Sequence, residues 1–63
     1  MPISGKAVVK KLKKAGWIEI SQSGSHVKLR KGGAMTIVPV HGNQDLPTGT
    51  LKGIEKQTGV KLI

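Results

Sequence analysis

The chain is 63 residues long, holds no cysteine, and carries eleven Lys or Arg against three Asp or Glu, giving a formal net charge of +8. That length predicts one domain over residues 1–63, small enough to bury only about 60 % of the surface its unfolded form exposes, and the missing cysteine excludes disulfides and thiolate zinc sites. So large a positive excess points to a polyanionic partner: nucleic acid first, an acidic protein second, a membrane surface third.

The core must come from Val, Ile, Leu and one Trp, and a domain of this size rarely gains more than about 3–5 kcal/mol of stability. No apolar run approaches the roughly 18 residues that span a bilayer. Met1-Pro2-Ile3-Ser4 lacks the charged start and apolar stretch of a secretory signal, so the expectation is a cytoplasmic protein with no membrane partner. Trp17 is the sole aromatic residue. A stacking platform for single-stranded bases is therefore absent, and backbone and shape recognition should dominate any RNA contact.

Ser4 suits a helix N-cap, with Ile3 and Val8 placed as a hydrophobic staple. Val8, Leu12 and Ala15 then recur at i, i+4 and i+7, which predicts a helix over 4–15 with Lys6, Lys10, Lys11, Lys13 and Lys14 on its other faces. Lys13 and Lys14 complement the dipole of the last turn. Gly16 suits the left-handed position after the helix, and Trp17 packs back on Leu12, as in a Schellman ending.

Residues 17–22 alternate and are rich in β-branched side chains, with Trp17, Glu19 and Ser21 on one face and Ile18, Ile20 and Gln22 on the other. Ser23-Gly24-Ser25 is a turn signal, so a second strand over 26–30 follows as a hairpin. In that strand Val27 and Leu29 face inward; His26, Lys28 and Arg30 face outward. Lys31-Gly32-Gly33-Ala34 predicts a tight turn. A two-residue loop pairs Leu29 with Thr36 and Val27 with Val38, burying Thr36, Val38 and Val40, whereas a slip by one residue would bury Met35 and Ile37. Because 35–38 is apolar on both faces, the pattern leaves both registers open. Pro39 belongs at a strand end or edge.

A polar loop over 40–45 leads into a second helix that starts within Leu46-Pro47-Thr48-Gly49-Thr50, Pro being tolerated in a first turn. Leu51 and Ile54 form its apolar stripe, Gly59 ends it, and Val60, Leu62 and Ile63 tuck against the core. The order is helix, three antiparallel strands, helix: an α+β fold with both helices on one sheet face and the other face open.

That open face carries the chemistry. Imidazole gives or takes a proton near neutral pH, and flanking cations stabilise charge on a transferring phosphate. RNA brings its own nucleophile, the 2′-hydroxyl, so its cleavage requires chiefly a proton shuttle and positive charge. His26 between strand neighbours Lys28 and Arg30 meets that requirement. His41 reads as a loop residue. Two His and three acids without ligand-like spacing predict no metal site, and no cofactor fingerprint appears; Gly32-Gly33 is explained as a turn.

Gly16-Trp17, Gly24-Ser25-His26, Val38-Pro39-Val40-His41, and then Leu46, Gly49-Thr50-Leu51, Ile54, Gln57 and Gly59 occur in an order that resembles the HicA family of toxin mRNA interferases, over roughly residues 3–60. The resemblance implies a double-stranded-RNA-binding-domain-like α-β-β-β-α fold, mRNA cleavage independent of the ribosome, growth arrest, and neutralisation by a cognate HicB antitoxin. It also implies that His26, in the Gly-Ser-His motif, is catalytic. Ser25 then positions its loop or the phosphate, and Lys28 and Arg30 hold the RNA backbone. First-helix lysines such as Lys10 and Lys14, with the N–H groups around Thr48 to Thr50, take flanking phosphates. The chain departs from the family pattern at Ser21, where many members have Arg, and at Val27, where a His or aromatic residue is common. The contribution of a cation at position 21 falls to Lys28 or Arg30. Two other readings fit the composition: an RNA-binding module without catalysis, and a basic adaptor for an acidic protein.

Overall fold

The computed structural model describes residues 3–42 and 44–62. Ser4 is extended, and its Oγ accepts from the Ala7 N–H at 3.2 Å, so helix α1 runs Gly5–Lys14. Ile3 packs half-buried against the cluster that contains Val8. At the other end Gly16 takes φ +99, the Gly16 N–H donates to Lys13 O at 3.1 Å and the Trp17 N–H to Leu12 O at 2.9 Å. This is the expected Schellman pair of bonds, and it turns Trp17 into the core at 4 % exposure. Lys31 then donates from Nζ to Ala15 O at 2.7 Å, tying the sheet to the helix end.

Three antiparallel strands follow, β1 (Ile18–Ser23), β2 (His26–Lys31) and β3 (Ala34–Pro39), in the order β1-β2-β3. Between β2 and β3 the two-residue loop Gly32-Gly33 pairs Leu29 with Thr36 and Val27 with Val38. The register that the apolar run left open is thus the one that buries Thr36 and Val38 and exposes Met35 and Ile37. Only Gly32 uses a positive φ, +58, in that turn.

The first strand does not alternate as expected. Ile18 pairs with Arg30 and Glu19 with Leu29, but Ser21 pairs with Lys28 and Gln22 with Val27, so Ile20 is an extra residue in a β-bulge. Beyond it the faces exchange. Ser21 joins Ile18 on the open face, and Gln22 joins Glu19 on the helix side. Trp17 lies before the strand, held by the helix ending.

The second helix begins within the expected stretch, at Thr48. Leu46 lies before it, its N–H donating to Ile3 O at 2.8 Å beside a bridge between Ser4 and Asp45. A residue before proline is pushed out of the helical region, and Pro47 itself sits extended at the N-cap of α2 (Thr48–Thr58). Gly59 ends the helix at φ +71, donating to Glu55 O at 2.7 Å. Leu62 is buried, with its N–H on Glu55 Oε2 at 2.6 Å, and Val60 packs at the margin. Ile63, and Asn43 of the preceding loop, lie outside the described residues.

Val8, Leu12 and Trp17 meet Val27, Leu29 and Val38 of the sheet and Leu46, Leu51, Ile54 and Leu62 of the C-terminal half in one apolar cluster. Both helices therefore cover the face to which Val27 and Leu29 point. The architecture is the expected α+β, α-β-β-β-α fold, and its other sheet face is open. Among the described residues no helix is long and apolar enough to cross a membrane.

Candidate functional site

Gly24 and Ser25 form the two-residue turn that joins β1 to β2, Gly24 at φ +58. The Ser25 carbonyl accepts from the Val40 N–H at 2.6 Å, so the turn is pinned to the end of β3. This fixes His26, the first residue of β2, between Ser23 on one side and Pro39 on the other. His26 is exposed; Lys28, next on the same face, is half-buried between Ser21 and Ile37. Side chains directly opposite across strands lie about 4.5–5.5 Å apart at Cβ.

These five residues, Ser21, Ser23, His26, Lys28 and Ile37, line one depression of about 320 Å³. It offers an imidazole, an ammonium group and two hydroxyls to solvent on a rigid sheet. An anion placed there meets Lys28 as a fixed charge, the serine hydroxyls as donors and His26 as a group that carries or accepts a proton.

Arg30 lies on the same face further along, its Nε–H donating to Gly32 O at 3.0 Å. It lines a separate depression with Ile18 and Ile20. Ser25 acts on the site through its backbone, since its side chain is not among the groups lining the cleft at His26. Lys10 and Lys14 are exposed on α1, in the layer behind the sheet. The first turn of α2 has no side-chain cap and no acidic residue, so Thr48 to Thr50 present backbone donors, away from the His26 cleft. His41 is exposed and lines a different cavity, with Pro39, Gln44, Asp45, Leu46 and Pro47. Among the described residues no three His, Cys, Asp or Glu side chains cluster as metal ligands.

Sequence reasoning missed Ser21, Ser23 and Ile37 as lining residues. Ile37 follows from the two-residue loop register once that register is chosen. Ser21 does not follow from any local pattern, because the bulge that turns it outward breaks the alternation.

A family model described as the HicA toxin of bacterial toxin–antitoxin systems matches residues 5–60. No curated protein and no solved structure matches the chain.

Proposed function

The chain belongs to the HicA family of toxins from bacterial toxin–antitoxin systems, and on that premise we propose that it is an endoribonuclease that cleaves mRNA at His26. The observation that carries this reading is the shared depression in which His26 and Lys28 stand with Ser21 and Ser23 on the open sheet face. The RNA 2′-hydroxyl attacks the adjacent phosphorus and the bond from phosphorus to the 5′-oxygen breaks, leaving a 2′,3′-cyclic phosphate. His26 takes the proton from the 2′-hydroxyl or gives one to the departing 5′-oxygen, and water makes the other transfer. Lys28 stabilises the charge on the phosphoryl oxygens. Arg30 contacts the RNA further along the same sheet face, Lys10 and Lys14 on α1 take flanking phosphates, and Ser25 keeps the loop in place.

The cleavage is metal-independent in this reading, because Lys28 and Arg30 repel a divalent cation where acidic residues would attract one. Membership in a toxin–antitoxin family implies an antitoxin partner; we take it to be a HicB-like protein. The whole chain acts as one domain, in the cytoplasm, where its mRNA substrate is found. Purified folded chain incubated with RNA in EDTA is expected to cut it, and His26→Ala to bind RNA without cutting. RNA left intact by the unmodified chain would overturn the enzyme reading.

One observation favours a second reading. His41 lines a different cavity from His26, so the cleft holds one imidazole where base and acid are both needed. A module that binds the phosphate at His26 without cleaving it has no such need, and the same experiment separates the two.

A further inference from the structure

The bulge at Ile20 sorts the open face of β1 along its length. Ser21 and Ser23 stand at the His26 end, whereas Ile18 and Ile20 stand at the Arg30 end. Ile18 is 67 % exposed and Ile20 47 %, a large apolar exposure for a domain with so little apolar material. They border a depression of about 300 Å³ together with Gly16, Arg30, Lys31 and Gly32. The Nε–H of Arg30 is engaged by the Gly32 carbonyl at 3.0 Å, which anchors one edge of the guanidinium at this depression.

A phosphate gains nothing from two isoleucines. An unstacked nucleobase does: its faces are apolar, its edges polar, and guanidinium planes both stack on bases and donate to their edges. Charge complementarity with a chain of net charge +8 favours the same ligand. The depression is separate from the cleft at His26 but lies on the same open sheet face. Arg30 lies four residues along the same strand, about 13 Å away at ~3.3 Å per residue. A stacked strand covers that in about four nucleotides at ~3.4 Å each, and an extended strand in fewer.

We propose that the depression of Ile18, Ile20 and Arg30 is a nucleobase subsite. It holds one unstacked base of single-stranded RNA, about two to four nucleotides from the scissile bond, and so helps choose where the RNA is cut. The inference rests on the reading of the chain as an RNA-cleaving enzyme. It also revises the expectation from composition: with Trp17 buried, aliphatic side chains and a guanidinium plane supply the surface that aromatic rings supply elsewhere.

The test is cleavage of short RNAs, each with one abasic ribose at a successive position around the cut bond, by the unmodified chain and by Ile18→Ser, Ile20→Ser and Arg30→Lys. For the unmodified chain, one abasic position two to four nucleotides from the cut should raise KM about tenfold with kcat within about twofold, in line with the usual worth of one stacked base. Each variant should lose a similar factor on the intact RNA and lose nothing further on that abasic RNA. Arg30→Lys keeps the charge, so its loss identifies the planar group as the reader. A flat abasic scan on RNA that is still cut overturns the subsite and leaves the nuclease reading standing. So do losses that multiply independently, or isoleucine variants that cleave normally and lose only antitoxin binding. RNA left uncut by folded unmodified chain overturns both.

Discussion

Ser21 stands opposite Lys28 across the β1–β2 ladder, one residue out of the register set by Glu19 and Leu29. Without the bulge at Ile20 it would stand opposite Val27 and point toward the helices. The residue at position 21 therefore faces the His26 cleft directly. This gives physical content to the departure noted in the sequence, where many family members have Arg and this chain has Ser. Ser21→Arg should place a second cation beside Lys28. Like charges opposite one another across strands cost about 0.2–1 kcal/mol, so a slightly lower melting temperature is expected. RNA affinity should rise at low salt, and the slope of log affinity against log salt should steepen by about 0.7 for one added phosphate contact on a single strand. An unchanged slope would mean that position 21 does not reach the RNA.

Most of the fold was legible because its signals are local and agree with one another. Ser4, the i, i+4, i+7 stripe and Gly16-Trp17 mark both ends of α1, and Gly24 and Gly32 mark two tight turns. The alternation in β2 placed His26, Lys28 and Arg30 outward without help from any other element. The β3 register was not legible, since Met35, Thr36, Ile37 and Val38 suit either face; loop length decides it. The bulge was illegible for a different reason. Ile18-Glu19-Ile20-Ser21 reads as regular alternation, and the extra residue exists only in the pairing of β1 with β2. The resemblance marks position 21, but the same blindness hid that Ser21 and Ser23 face the cleft. The start of α2 was legible only to within the stretch 46–50; Thr48 is its first residue, and Leu46 reaches the core from the segment before it.

Two helical glycines should respond in opposite ways to alanine. A Cβ on Gly5 would collide with the Pro39 carbonyl and come 2.9 Å from Val40 Cα. α1 lies directly on the end of β3 there, and backbone atoms yield poorly. Gly5→Ala should cost about 1–3 kcal/mol, as overpacking does. Gly53 has nothing within 4 Å of the corresponding point and no positive φ. Gly53→Ala should therefore stabilise α2 by about 0.5–1 kcal/mol, which raises the melting temperature by several degrees at ~4–8 °C per kcal/mol for a domain of this size. Thermal melts of the two variants at equal concentration check both signs.

Thr36 is buried in the sheet at 3 % exposure, and its Oγ1–H donates to Gln57 Oε1 at 2.8 Å, joining β3 to α2. Gln57→Ala strands that hydroxyl and should cost about 1–3 kcal/mol. Thr36→Val in the same chain removes the stranded group. The double variant should then recover most of the loss, which denaturant titration measures as a coupling energy. Independent, additive losses would mean that the hydroxyl finds another acceptor once Gln57 is shortened.

Leu29 is fully buried between Lys28 and Arg30 in sequence, its side chain in the core and theirs on the open face. Leu29→Ala should cost about 2–5 kcal/mol, as much as the whole stability of about 3–5 kcal/mol expected for a chain this short. The variant should thus be largely unfolded alone, although the open-face side chains are untouched. A partner that binds only the folded form contributes about 2.7 kcal/mol at a hundredfold excess over its Kd. The antitoxin implied by the family should therefore restore helical circular dichroism and a cooperative melt to Leu29→Ala as its concentration rises. If the variant melts cooperatively without any partner, the core is more stable than its size indicates. If saturating antitoxin restores nothing, the antitoxin does not bind the folded form selectively.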